Sequence, residues 1–174
     1  MSGPRVHTLI LGSMPGIASL EAREYYGHPR NAFWSVAEVL GIDRELTYRS
    51  RCARLKHLGF ALWDVIGSCE RSGSLDQAIR NARLNELIPF AAKHRALARV
   101  WFNGQAAARH FERELGRAFR AAQPAVELRT LPSTSPAHTD RAKYSVWSKA
   151  LDGAVRSGFA NESPSTVLAR RFPI

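Results

Sequence analysis

Three observations predict an α/β fold with a three-layer α/β/α arrangement around a central, mostly parallel four-stranded sheet. Four short β-prone runs recur along the chain, each is stopped by turn chemistry, and helical apolar spacing separates them. The length of 174 residues suits one domain, so residues 1–174 are expected to form a single unit with an irregular tail from about residue 158. A hydrophobic fraction of 45% and a charged fraction of 23% match ordinary folded chains, which argues against disorder, collagen-like repetition and a disulfide scaffold.

The first run, Val6–Leu11, ends at Gly12-Ser13-Met14-Pro15-Gly16, where two glycines and a proline force a turn. Residues 31–40 then place Phe33, Val36, Ala37 and Leu40 at i, i+3, i+4, i+7, the spacing of an amphipathic helix, with Asn31 positioned to cap it. A second strand is expected over Gly59–Val65, followed by a Gly/Ser/Cys/Arg loop and helices near 74–82 and 84–93. The third strand, Ala98–Phe102, is cut by Asn103-Gly104 and leads into a helix over 105–115. The fourth, Val126–Leu131, stops at Pro132-Ser133-Thr134-Ser135-Pro136, after which Thr139 is expected to cap a helix from about 140 to 156. In such sheets ligands sit outside the carboxyl ends of the strands, and all four strand ends here carry unusual loops.

Lys and Arg number 25 against 15 Asp and Glu, a formal net charge of +10, which points to a polyanionic partner. Two cysteines, Cys52 and Cys69, are too few for an iron–sulfur cluster or a closed zinc site, and no His-Glu-x-x-His stands elsewhere, so no metal and no cofactor are expected. No cationic segment precedes an apolar run and no stretch approaches a membrane span. The expectation is a cytoplasmic, nucleoid-associated monomer without an export signal and with reduced thiols.

The Gly12–Gly16 loop can turn the backbone N–H groups of Ser13 and Met14 into a cleft, although a simple turn would look the same. It is neither a Walker A loop nor a Gly-x-Gly-x-x-Gly element. Tyr25 to Trp34 packs four aromatics with His28, Arg30 and Asn31 into ten residues, offering stacking rings, a phosphate contact and a carboxamide. Ser133, Thr134 and Ser135 between two prolines form a stiff hydroxyl-rich loop suited to phosphate oxygens, with Pro136 and His138 beyond it. Asp64, at a strand end, can read a base edge or cap the next loop. No Ser-His-Asp order and no evident pair of catalytic carboxylates stands out.

Taken in order, Gly12-Ser13-Met14-Pro15-Gly16, Pro29-Arg30-Asn31-Ala32-Phe33-Trp34, Leu62-Trp63-Asp64-Val65, Phe102-Asn103-Gly104 and Leu131-Pro132-Ser133-Thr134-Ser135 resemble the uracil-DNA glycosylase superfamily over roughly residues 6–156. The chain looks most similar to its hypoxanthine-DNA (deoxyinosine) glycosylase branch. The resemblance implies a DNA base-excision enzyme that flips out a deaminated base and hydrolyses its N-glycosidic bond. Within it, Asn31, Ser13 and Met14 carry the chemistry, and Gly12, Phe33, Asp64 and Asn103 bind the base, with Phe33 as the stacking ring. Arg30, Ser133, Thr134, Ser135, Pro136 and His138 would hold double-stranded or single-stranded DNA.

The chain departs from the mismatch-specific relatives at Met14, where they carry the Asn that positions water, and from the classical uracil enzymes at Leu131, where they carry His. The hypoxanthine branch places its catalytic Asn in the Pro-Arg-Asn-x-Phe-Trp element, which carries the role to Asn31. Three other readings stay open at this point: a mismatch-specific uracil or thymine glycosylase, an inactive DNA-binding relative, and an α/β enzyme for a phosphorylated metabolite.

Overall fold

The computed structural model describes residues 1–3 and 5–158. The expected tail falls outside them. Four strands, β1 (Thr8–Gly12), β2 (Phe60–Asp64), β5 (Arg99–Asn103) and β6 (Glu127–Leu131), form one wholly parallel sheet in the order β2-β1-β5-β6. All four strands expected from sequence are present, shifted by one or two residues.

Both faces of this sheet are covered, so its central strands are apolar throughout, and alternate residues feed two separate cores. Ile10, Phe60, Leu62 and Trp101 point to one face, where they meet α2 (Phe33–Ala37), α3 (Tyr48–His57) and α7 (Ala142–Gly158). Leu9, Leu11, Ala61, Val100 and Phe102 point to the other, against α4 (Leu87–Lys93), α5 (Gln105–Phe111) and α6 (Arg117–Ala122). Trp147 of α7 and Phe111 of α5 fill the centres of these two cores, both fully buried.

The chain passes from β1 outward to β2, then returns to the far side of β1 to lay down β5. The direction of winding therefore reverses between β1 and β5, and an open parallel sheet leaves a crevice at such a point, at the carboxyl ends of its strands. Gly12, Asp64, Asn103 and Leu131 are the residues that end there.

Several helices differ from expectation. Residues 74–82 do not form one. A turn of 3₁₀ helix spans Asp76–Ala78, and β4 (Arg80–Leu84) pairs antiparallel with β3 (Ile66–Glu70), a strand within the expected loop. Gly73 at φ +73° and Asn81 at φ +50° are incompatible with helix, and the backbone bonds go across the hairpin instead. The helix expected over 84–93 starts at Leu87, because Asn85 is bound to β2: its N–H donates to Val65 O at 2.9 Å and its side chain to Asp64 O at 2.9 Å. The helix over 31–40 tightens to 3₁₀ at Glu38–Leu40, and the helix over 105–115 runs on through a π turn at Glu112–Gly116 into α6. At the head of α7, Asp140 rather than Thr139 receives the Ala142 N–H, at 2.8 Å.

Two helices were not expected, α1 (Ile17–Ala22) and α3. α3 starts at Thr47, whose hydroxyl accepts the Ser50 N–H at 3.2 Å, and Arg54, Lys56 and His57 complement the dipole of its last turn. Thr47→Ala should cost about 1 kcal/mol of unfolding free energy in a denaturant titration, and Thr47→Ser should restore most of it.

Candidate active site

A cavity of about 830 Å³ opens at the crevice, lined by the Gly12–Gly16 loop, the aromatic loop, Asp64 and the 133–136 loop. Gly12 has no room for a side chain: a Cβ there would lie 2.4 Å from Asp64 Oδ1. Beyond it, the carbonyls of Gly12 and Ser13 accept the N–H groups of Val65 and Ile66 at 2.9 and 3.0 Å. The N–H groups of Ser13 and Met14 themselves donate to nothing among the described residues and are left for a ligand.

The β3–β4 hairpin grips the same loop from outside. The Ser13 hydroxyl donates to Asp76 Oδ1 at 2.5 Å, the Ile17 N–H donates to Ser74 Oγ at 3.0 Å, and the Arg71 guanidinium donates to Pro15 O. Asp76 lines the cavity.

The aromatic loop is tied down at several points. Tyr25 N–H donates to the Tyr48 hydroxyl at 2.8 Å, and Trp34 Nε1 donates back to Tyr25 O at 3.0 Å. Asn31 N–H donates to His28 O at 2.8 Å, while Asn31 Oδ1 accepts the Phe33 N–H at 3.0 Å. That second bond is a local turn one residue ahead of α2, whose N-cap is Ala32 without a side-chain cap, so Asn31 does not cap the helix as expected. The bond also fixes the orientation of the carboxamide: the oxygen is used, and Nδ2, without a partner among the described residues, is the end left for the cavity.

On the opposite wall, Asn103 at the end of β5 binds Thr134 through both ends of its carboxamide. Its Nδ2 donates to Thr134 Oγ1 and its Oδ1 accepts the Thr134 N–H, both at 2.8 Å. Thr134 O in turn accepts the Ala32 N–H at 2.9 Å, which joins this loop to the aromatic one. Lys143 of α7, itself buried, donates to Ser135 O at 3.2 Å and His138 O at 2.6 Å, and Trp147 Nε1 donates to Pro132 O at 2.7 Å.

These contacts revise several expected roles. Phe33 is 0% exposed, does not line the cavity and cannot stack on a base; Tyr26 covers it, ring on ring, at a centroid distance of 4.2 Å. Tyr26 reaches that position through a left-handed backbone, φ +57°, and its ring lines the cavity. Thr134 is 0% exposed, so its hydroxyl holds Asn103 rather than a phosphate, while Asn103 lines the cavity and keeps a second Nδ2–H and a second Oδ1 lone pair beyond those two bonds. His138 lies away from the cavity, its carbonyl bound by Lys143 and its Nε2 buried. Gly12, Ser13, Met14, Asn31, Asp64, Asn103, Ser133, Thr134, Ser135 and Pro136 do come together around the cavity, and Arg30 stands exposed beyond it.

Sequence reasoning did not single out Tyr26, Asp76, Arg71 or Lys143. Tyr26 stood within the aromatic cluster as a type of residue, and the others carry no local signal because their partners are remote in sequence.

Asp64 is the most perturbed acid of the site. Burial pushes its carboxyl up to about 7; the Met1 amino group and Arg71 guanidinium oppose this and the Asp76 carboxylate adds to it. Burial likewise pushes the Tyr25 phenol up to about 12 and the Tyr26 phenol well above its usual range, so both remain neutral donors. Two phenols that stay protonated, Tyr25 and Tyr26, and two carboxyls, Asp64 and Asp76, thus line one cavity.

The chain matches the Uracil DNA glycosylase superfamily over residues 2–153, and it belongs to that superfamily. Two of its similar relatives carry the name hypoxanthine DNA glycosylase. One, from Methanosarcina acetivorans, is 32% identical over 132 residues, 75% of this chain and 79% of the relative. The other, from Methanosarcina barkeri, is 36% identical over 99 residues, 56% of this chain and 63% of the relative. The chain also superposes, with a TM-score of 0.74 and 29% identity, on the solution NMR structure of a Methanosarcina acetivorans protein provisionally assigned as a uracil DNA glycosylase, covering 88% of this chain and 93% of that one.

Two outcomes follow from these contacts. Between the ordinary carboxylate pKa and about 7, folded Asp64 binds a proton that the unfolded chain does not, so stability falls as pH rises through that window. Asp64→Asn should therefore raise the melting temperature more at pH 8 than at pH 5. Asn103→Ala should leave Thr134 N–H unbonded, costing about 1–3 kcal/mol and speeding hydrogen exchange at Thr134 and Ala32.

Proposed function

We propose that this chain is a monofunctional DNA N-glycosylase that extrudes a deaminated base, hypoxanthine first among them, and hydrolyses its N-glycosidic bond to leave an abasic site. The observation that carries this reading is the set of donors converging on one cavity: the free N–H groups of Ser13 and Met14, Asn31 Nδ2 and the buried Asp64 carboxyl. Cleavage of an N-glycosidic bond builds negative charge on the departing base, and donors held in a dry site are what such a transition state needs. The target atom is hidden in a duplex, so the base must leave the stack and enter a pocket, where the Tyr26 ring supplies a face to lie against.

Asp64, in its acid form, donates a proton to an acceptor on the base, and the backbone donors and Asn31 hold the charge that remains. Ser133, Ser135 and Arg30 lie where flanking phosphates would pass, and the net charge of +10 favours the approach of a polyanion. The reading extends to a monomer acting in the cytoplasm on double-stranded or single-stranded DNA. Among the described residues no helix is long and apolar enough to cross a membrane. Met14 favours hypoxanthine over mismatched uracil or thymine, because its thioether cannot position water as the relatives' carboxamide does.

Labelled DNA carrying inosine, uracil, xanthine or a mismatched thymine, incubated with the protein and cleaved by alkali at abasic sites, tests the reading. Inosine should yield the fastest cleavage, and no cleavage of any substrate would reject it. Asn31→Ala should slow single-turnover release by about 10²-fold with little change in DNA affinity. If Asn31 served only to hold its local turn, Asn31→Ser would restore full activity. The rate should also decline above about pH 7 as Asp64 ionises, a decline absent in Asp64→Asn, with burial, the Met1 amino group, Arg71 and Asp76 setting the midpoint. Three to five phosphate contacts would give a log affinity against log salt slope of about −3 to −4.5.

A further inference from the structure

The groups assigned above leave one half of the hydrolysis without a residue. An attacking water must lose a proton to an acceptor, yet the Ser13 and Met14 N–H groups and Asn31 Nδ2 are donors only. Asn31 Oδ1 already accepts the Phe33 N–H and, as an amide oxygen, is too weak a base to take a proton from water, and Met14 brings a thioether where the relatives resembled bring a carboxamide. Asp64, as the acid, already serves the leaving base.

Asp76 is a second carboxylate facing the cavity, carried by the 3₁₀ turn between β3 and β4. It is not a solvated surface acid. Ser13, Pro15 and Ile17 on the loop are bound in turn by Asp76, Arg71 and Ser74, so the hairpin is fastened along the whole length of that loop. Asp76 Oδ1 receives the Ser13 hydroxyl at 2.5 Å, which turns the lone pairs of Ser13 Oγ outward, and Asp76 Oδ2 has no partner among the described residues.

Resting on the glycosylase reading, we propose that Asp76 is a catalytic residue: together with Ser13 Oγ it holds the attacking water and accepts its proton. The water oxygen bonds to C1′ of the sugar as the bond from C1′ to the base nitrogen breaks, and that electron pair leaves with the base. The water's proton passes to Asp76, the Asp64 proton passes to the base, and exchange with solvent returns both carboxyls to their starting states. The two acids have opposite tasks, and their placement separates them: Asp64 is enclosed at the strand end, whereas Asp76 stands half-buried on the hairpin.

The test is single-turnover release of hypoxanthine from inosine-containing DNA by the full chain, with DNA affinity and melting temperature measured alongside. Asp76→Asn should lower the rate by about 10²-fold with affinity unchanged or tighter, since a negative charge is removed. Asp76→Ala should be similarly slow and should recover rate on addition of formate, a small carboxylate that can enter the vacated space. Ser13→Ala should lose about tenfold and gain nothing from formate. An Asp76→Asn rate within threefold of the unchanged protein overturns the proposal. So does a slow Asp76→Ala that formate leaves slow, since Asp76 would then only hold the loop. Failure of the unchanged protein on every lesion overturns the glycosylase reading and this one together, whereas an active protein with an active Asp76→Asn rejects this one alone.

Discussion

One side chain, Asn103, holds the working end of the sheet together. Its carboxamide fits Thr134 with a donor to the hydroxyl and an acceptor for the N–H, and the Thr134 carbonyl then takes the Ala32 N–H. Three loops that belong to β5, β6 and the start of α2 are thereby set at fixed separation. A parallel sheet aligns its strand ends but leaves the loops beyond them unspecified, and buried backbone groups in those loops must be paired somewhere. Asn103 supplies that pairing. Asn31, one residue from Ala32, inherits its position from this arrangement, as do Ser133 and Ser135.

The parts of the fold visible in the sequence were those whose residues report their surroundings directly. Strands buried on both faces read as short apolar runs, and α7 reads as a long amphipathic helix because Trp147, Leu151 and Val155 return on one side. α3 escaped notice because its ten residues are mostly basic and only Cys52 and Leu55 are buried. The hairpin escaped because its strands lie outside the main sheet, and residues 66–70 carry no period-two apolar pattern. At the site, glycine at a strand end and a carboxylate at another were legible from position alone. Phe33 was misplaced because sequence supplies a residue type and not a depth: the left-handed turn at Tyr26 lays a second ring over the first. Asp76 meets Ser13 across 63 positions of chain, a separation no local pattern encodes.

Asp64 carries a cost at its strand end. A carboxyl enclosed at 7% exposure is unfavourable in its ionised form, and its close approach to Gly12, where a Cβ would lie 2.4 Å from Oδ1, keeps residue 12 without a side chain. The strand end is held in this state by contacts elsewhere: the Val65 and Ile66 N–H bonds to the Gly12 loop, and Asn85 on the Asp64 carbonyl.

The placement of the β3–β4 hairpin has an evolutionary side. It lies between β2 and α4, its strands pair only with each other, and it adds no strand to the parallel sheet, so apart from the buried Ile66 and Ile79 and from Leu84, which packs on the second core, its residues can change without disturbing the scaffold. Yet it forms one wall of the crevice. A lineage can thus rewrite the polar groups on that wall while keeping the scaffold unchanged.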